Sequence, residues 1–177
     1  MKSLHVLLFA GALLGACTTS SSPSVPSPSA AAMTIESPAF ANGAEIPQKY
    51  TCRGEGVSPP LIFAGVPPHA QELALVMSDP DAPGGDFVHW VVYGIPPVTR
   101  SVPEGEVPSG GKVGIASTGE AIFVPPCPPS GTHRYILRLS ALDTRLQFET
   151  PPAKADLLAS MEGHVLAEAQ VMGRSGS

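Results

Sequence analysis

The side chains best suited to binding or proton exchange fall in two short stretches of this sequence. Asp79 and Asp81 stand in Asp79-Pro80-Asp81-Ala82-Pro83, with His89-Trp90 just downstream, and His133 and Tyr135 stand in Gly131-Thr132-His133-Arg134-Tyr135. Carboxylates accept hydrogen bonds, imidazoles donate or accept according to their protonation, and a phenol does both. A residue before proline is pushed to extended backbone, and residues two apart in an extended chain point to one side. Asp79 and Asp81 are therefore expected side by side. If the two stretches meet, they form a small polar hollow with an apolar floor.

Residue types alone leave several chemistries open. The group fits a satisfied polar network that only holds loops. Asp79, Asp81, His89 and His133 are also ligand types for zinc or manganese, although no compact His-Glu-x-x-His spacing occurs. Ser58, Cys52 and Cys127 are nucleophile types with His133 as a base, but no Gly-x-Ser-x-Gly turn is present. Neither enzyme activity nor a metal or cofactor is expected.

The elements that must position these residues read mostly as strands. Residues 33–37 and 61–63 form short strands bounded by prolines. Residues 72–78 make a near-continuous apolar run whose length suits a strand buried on both faces. Residues 87–95 form a strand on which His89 shares a face with Phe87, Val91 and Tyr93, leaving Trp90 on the other face and in the core. Residues 134–142 alternate, with Tyr135, Leu137, Leu139 and Ala141 on one face, His133 beside them, and Arg134 opposite and outside the hollow. From 154 to 172 the apolar residues Leu157, Leu158, Met161, Val165, Leu166, Ala169 and Met172 recur near helical spacing. That predicts a C-terminal helix, stopped at Gly173 and carrying His164. The expected fold is mainly β, an antiparallel β-sandwich with peripheral short helices and a helix on its flank.

Composition agrees. The chain has 177 residues with 21 prolines and 18 glycines, too many helix breakers for a helix bundle. Ten basic residues face 15 acidic ones, for a net charge of −5, with no Lys or Arg run. A nucleic-acid partner, which needs a basic footprint, is excluded.

The N-terminus carries its own signal. Lys2 precedes an apolar run over residues 4–14, shorter than the about 20 residues of a bilayer span. Leu14-Gly15-Ala16-Cys17 follows, resembling the lipobox of bacterial lipoproteins. The resemblance implies a signal peptide over 1–16, cleavage before Cys17 and acylation of that residue. Residues 17–33, rich in Ser, Pro and Ala, read as a solvated tether, and 34–177 as one domain. The expected location is the cell envelope, lipid-anchored, with the outer membrane favoured because Thr18 is not aspartate, and facing the periplasm. With Cys17 acylated, Cys52 and Cys127 remain, in a compartment that permits their pairing or leaves them as buried thiols.

The motifs around the polar residues resemble the phosphatidylethanolamine-binding protein family (Raf kinase inhibitor-like proteins), bacterial branch. So do Ile46-Pro47-Gln48-Lys49-Tyr50-Thr51-Cys52, Val57-Ser58-Pro59-Pro60-Leu61, Cys127-Pro128-Pro129 and Met161-Glu162-Gly163-His164-Val165-Leu166-Ala167. Each is short; their number and order carry the match. The resemblance implies a β-sandwich whose pocket takes a small anion or a phospholipid head group, lined here by Asp79, Asp81, His89, His133 and Tyr135 with Cys127 at the lip. Two departures stand out. Val124-Pro125-Pro126 precedes Cys127 where the branch has glycine and proline, and Arg53 replaces an aspartate, adding a cation near the lip. The implied role is non-catalytic binding, with a protease inhibitor on the same fold as the alternative; the sequence leaves oligomeric state open, a dimer included.

Overall fold

The computed structural model describes residues 32–177. The expected signal peptide, the acylation at Cys17 and nearly all of the tether lie outside them. Eight strands and one α-helix follow in order: β1 (Thr34–Glu36), β2 (Leu61–Ala64), β3 (Glu72–Asp79), β4 (Phe87–Ile95), β5 (Ser101–Val102), β6 (Lys112–Val113), β7 (Thr132–Leu142), α1 (Lys154–Met161) and β8 (Val165–Gly176). A single turn of 3-10 helix, Gln48–Tyr50, sits between β1 and β2.

The strands form two antiparallel sheets. A small one has the order β1-β2-β5 and a large one the order β6-β4-β3-β7-β8. β3 lies at the centre of the large sheet and is buried at every residue, as its unbroken apolar run predicts. One face of that sheet packs on the small sheet through Leu73, Leu75, Met77, Trp90, Leu137 and Leu139 against Ile35, Leu61, Phe63 and Val102. The other face carries Ala74, Val76, Val91 and Tyr93, covered by Leu157 and Met161 of α1 and by Leu146. The layers are thus sheet, sheet and helix, with the main core between the sheets.

The expected helix over 154–172 is overturned beyond Met161. α1 ends there, and Gly163, with a positive φ of 80°, turns the chain before β8 begins. The same apolar residues fit two periods, and pairing decides between them. β8 runs antiparallel to β7 from Val165 opposite Leu142 to Gly176 opposite Thr132. That alternation turns Ala167, Ala169 and Val171 onto the main core. The ladder bonds and the buried face outweigh one extra stretch of helix with nothing to pack on. Gly173 is therefore no helix stop. It sits within β8 where a Cβ would lie 2.4 Å from Ile46 and 2.9 Å from Phe40, so its missing side chain lets residues 40–46 close over the strand. His164 lies in the turn rather than on a helix, its Nδ1 paired with Asp143 Oδ1 at 2.8 Å.

Candidate functional site

Asp79 is the last residue of β3, and the extended geometry before Pro80 leaves it on the inner face at the sheet's end. Its carboxylate is almost fully buried and uses both oxygens. Oδ2 accepts from Nδ1 of His133 at 2.7 Å, and Oδ1 accepts from the Asp81 amide at 2.8 Å. His133 comes from the start of β7, the strand beside β3. The pair fixes the imidazole orientation and leaves Nε2 for another partner.

His89 reaches the same place through an irregularity. Met77 pairs with Trp90, but Ser78 pairs with Val88, so β4 holds one extra residue between them, His89. Such a bulge re-aims a side chain. The His89 ring lies 5.1 Å, edge to face, from Tyr135 and 4.8 Å from Phe87. The expectation that His89 shares a face with Val91 and Tyr93 fails here, since those two pack under α1. Trp90 is in the core as expected, but the bulge turns it and His89 to the same side of the sheet.

The lip over these residues is built from residues 124–129. The Val124 amide donates to the His89 carbonyl at 2.8 Å, and His89 Nδ1–H donates back to the Val124 carbonyl at 2.8 Å. The Cys52 amide donates to Pro126 O at 3.0 Å, and a disulfide joins Cys52 to Cys127 with their Cα atoms 5.3 Å apart. Pairing, one of the two fates left open for these cysteines, is what the structure shows. Tyr135 lies beneath, fully buried, and its hydroxyl has no hydrogen-bond partner among the described residues. The Cys127 main-chain N–H faces that hydroxyl and eases its ionisation without closing a bond.

Electrostatics follow from this burial. Desolvation pushes the His89 pKa below its ordinary value, opposed by the Val124 carbonyl and the Asp79 charge. His89 is thus held toward the neutral form, with Nδ1–H on Val124 and Nε2 an acceptor. Burial first, and the Asp79 charge second, push the Tyr135 pKa up, so its hydroxyl keeps its proton and stays a donor.

Asp81 stands apart. Its carboxylate is gripped by Arg134, with Nε to Oδ2 at 2.8 Å and Nη2 to Oδ1 at 2.7 Å, and it accepts the Arg134 amide at 2.9 Å. This forked pairing lowers the Asp81 pKa to about 2. Asp79, His89, His133, Tyr135 and the Cys127 lip are brought together, whereas the Asp81 carboxylate faces the groove outside. Arg53 is committed too, its guanidinium donating to the Gly176 carbonyl.

Sequence reading overlooked two residues at the site and one beside it. The Val124 carbonyl orients His89, and main-chain groups carry no residue signal. Ser175 lies across β7–β8 from His133, fully buried, its hydroxyl without a partner among the described residues. Arg174 lines the groove next door. Reading 165–176 as a strand, with period two, would have put Ser175 on the inner face and Arg174 on the outer. Among the described residues, no group of three or more His, Cys, Asp and Glu side chains is disposed to hold a metal ion.

The family model described as phosphatidylethanolamine-binding protein matches residues 36–176. The chain belongs to the phosphatidylethanolamine-binding protein family. A UPF0098 protein of Methanothermobacter thermautotrophicus is 47% identical over 146 residues, covering 80% of this chain and 97% of its own. A protein of Mycobacterium tuberculosis whose name, LppC, marks it as a candidate lipoprotein is 44% identical over 137 residues, covering 76% of this chain and 67% of its own. Among solved structures, a phosphatidylethanolamine-binding protein homologue from Chlamydia trachomatis superposes with a TM-score of 0.80 at 41% identity, covering 82% of this chain and 98% of that one. YbcL of Escherichia coli superposes with a TM-score of 0.76 at 26% identity, covering 83% and 99%. Fold and family agree with the resemblance read from the motifs.

Proposed function

We propose that this family member is a non-catalytic binding module for a small phosphate-bearing anion, seated between His89, His133, Tyr135 and the Cys127 amide. One observation carries the reading. The Tyr135 hydroxyl is buried and, among the described residues, unpaired, beside two imidazoles whose Nδ1 atoms are already committed. A buried donor without a partner is unfavourable by about 1–3 kcal/mol, and an anion's oxygen removes that penalty. The Tyr135 hydroxyl and the Cys127 amide donate to the anion. The His89 Nε2 either accepts from a protonated phosphate oxygen or, once its ring is charged, donates to an ionised one, and the His133 Nε2 is left for the same anion.

Binding without chemistry is favoured by the state of the nucleophile types. Cys52 and Cys127 are bonded to each other, which removes the thiolate. Ser58 points its hydroxyl at the Glu106 carbonyl, 3.5 Å away. The lipobox-like Leu14-Gly15-Ala16-Cys17, together with a lipoprotein-named relative, supports anchoring through Cys17 in the envelope, with the outer membrane favoured and the domain facing the periplasm.

Calorimetric titration of the mature domain with methyl phosphate tests the reading. Wild-type protein should bind, and His133→Ala and Tyr135→Phe should each weaken binding several-fold. Equal heats from all three proteins would reject the site. A protease panel run alongside addresses the inhibitor alternative: inhibition that survives both substitutions would assign that activity to the loop surface.

A further inference from the structure

An open groove of about 570 Å³ adjoins the pocket, lined by Asp81, Ser130, Thr132, His133, Arg134 and Arg174. His133 belongs to both, so a ligand held against it that extends beyond the pocket has these side chains within reach. Their charges are unequally balanced. Arg134 and Arg174 face each other across β7 and β8. Like charges in directly opposed positions repel. Asp81 neutralises only Arg134, through its forked pair. The Arg174 guanidinium has no hydrogen bond or ion pair among the described residues. Glu45, bridged to Arg174 through the main chain, turns its carboxylate to the Gly176 amide at 3.3 Å instead. The Arg53 guanidinium on the Gly176 carbonyl and the Glu45 carboxylate on the Gly176 amide place one charge of each sign at that end, which leaves Arg174 as the unbalanced one. Ser130 and Thr132 offer exposed hydroxyls along the way.

We propose that the groove is a second anion subsite and that Arg174 sets ligand preference, selecting phosphoesters that carry a further negative group over those that carry an ammonium. This rests on the phosphate pocket proposed above and names the class of ligand that the pocket takes. The phosphate sits against His133, and the second group, a carboxylate or another phosphate, reaches Arg174. An ethanolamine ammonium would meet the same uncompensated cation and be repelled. The preference weakens with added salt, because the groove is exposed and its charges are screened over about 10 Å at 0.1 M ionic strength.

The test compares phosphoglycolate, phosphoethanolamine and methyl phosphate on the mature domain at neutral pH and low salt. Phosphoglycolate should bind roughly two- to fivefold tighter than phosphoethanolamine, the range an exposed ion pair supplies. Arg174→Gln should bring that ratio close to one while methyl phosphate affinity stays within error. Arg174→Glu should reverse the order, and Arg174→Lys should keep it. All variants retain the main-chain bonds of this position to Ala44 and Ile46. Equal affinities in wild-type protein, or a ratio unchanged in Arg174→Gln, would overturn the subsite while leaving the pocket standing. No binding of methyl phosphate at all would instead remove the pocket on which the subsite depends.

Discussion

His89 and Val124 are joined twice, main chain to main chain and ring to main chain, each bond 2.8 Å long. The bulged strand β4 and the lip are therefore one mechanical unit. The disulfide ties that unit to the Cys52 segment across a separation of 75 residues. The disulfide and the prolines on either side of Cys127 both restrict the backbone of the lip.

Reduction of the disulfide, or the double substitution Cys52→Ser with Cys127→Ser, should lower stability by about 2–4 kcal/mol, because a long loop regains entropy in the unfolded chain. Urea unfolding with and without reductant measures this. Anion affinity should fall in the same samples, as the Cys127 amide is no longer held over Tyr135. Affinity that survives full reduction would show that the lip does not need its covalent tie.

Asp79→Ala should destabilise the fold by about 1–3 kcal/mol, since it leaves the His133 Nδ1–H and the Asp81 amide without their acceptor in a buried place. Ligand binding should weaken in parallel because His133 loses its fixed orientation. Asp79→Asn, which keeps an acceptor oxygen, should recover part of both. Thermal melts and phosphate titrations read the two effects separately.

Anion affinity should rise as pH falls below the ordinary histidine value of about 6.5. His89 is the reason: burial lowers its pKa, so it gains its proton, and becomes a donor at Nε2, only on the acid side. Stability of the free protein should move the other way. A histidine that is harder to protonate when folded contributes stability above about pH 6.5, and that contribution is lost as pH falls toward the lowered folded value. His89→Gln should flatten both profiles. A titration series from pH 5 to 8 with no change in affinity would remove His89 protonation from the binding account.

Gly173→Ala should cost about 1–3 kcal/mol through overpacking, because its Cβ would lie 2.4 Å from Ile46. Gly163→Ala meets no neighbour within 4 Å and is strained only through its positive φ of 80°. Circular dichroism melts of the two variants should therefore separate close packing from turn strain. The Gly173 change should also loosen residues 40–46, which hydrogen exchange at the Gly43 and Ile46 amides would report.

The sequence by itself determined the β class, strands read at 72–78, 87–95 and 134–142, and the residue types of the polar group. Those came from apolar runs, alternation and proline boundaries, which act locally and leave a pattern in residue types. Tertiary structure decided the rest. Residues 165–176 fit a helix or a strand, and only the partner strand β7 settled the period. A bulge, invisible in residue types, swung His89 onto the pocket side. Asp79 and Asp81 stand two apart, yet one went to an imidazole and the other to a guanidinium, because burial near β7 offered each carboxylate a different partner. Which charges end up compensated is a property of strands packed side by side, and no spacing along the chain encodes it.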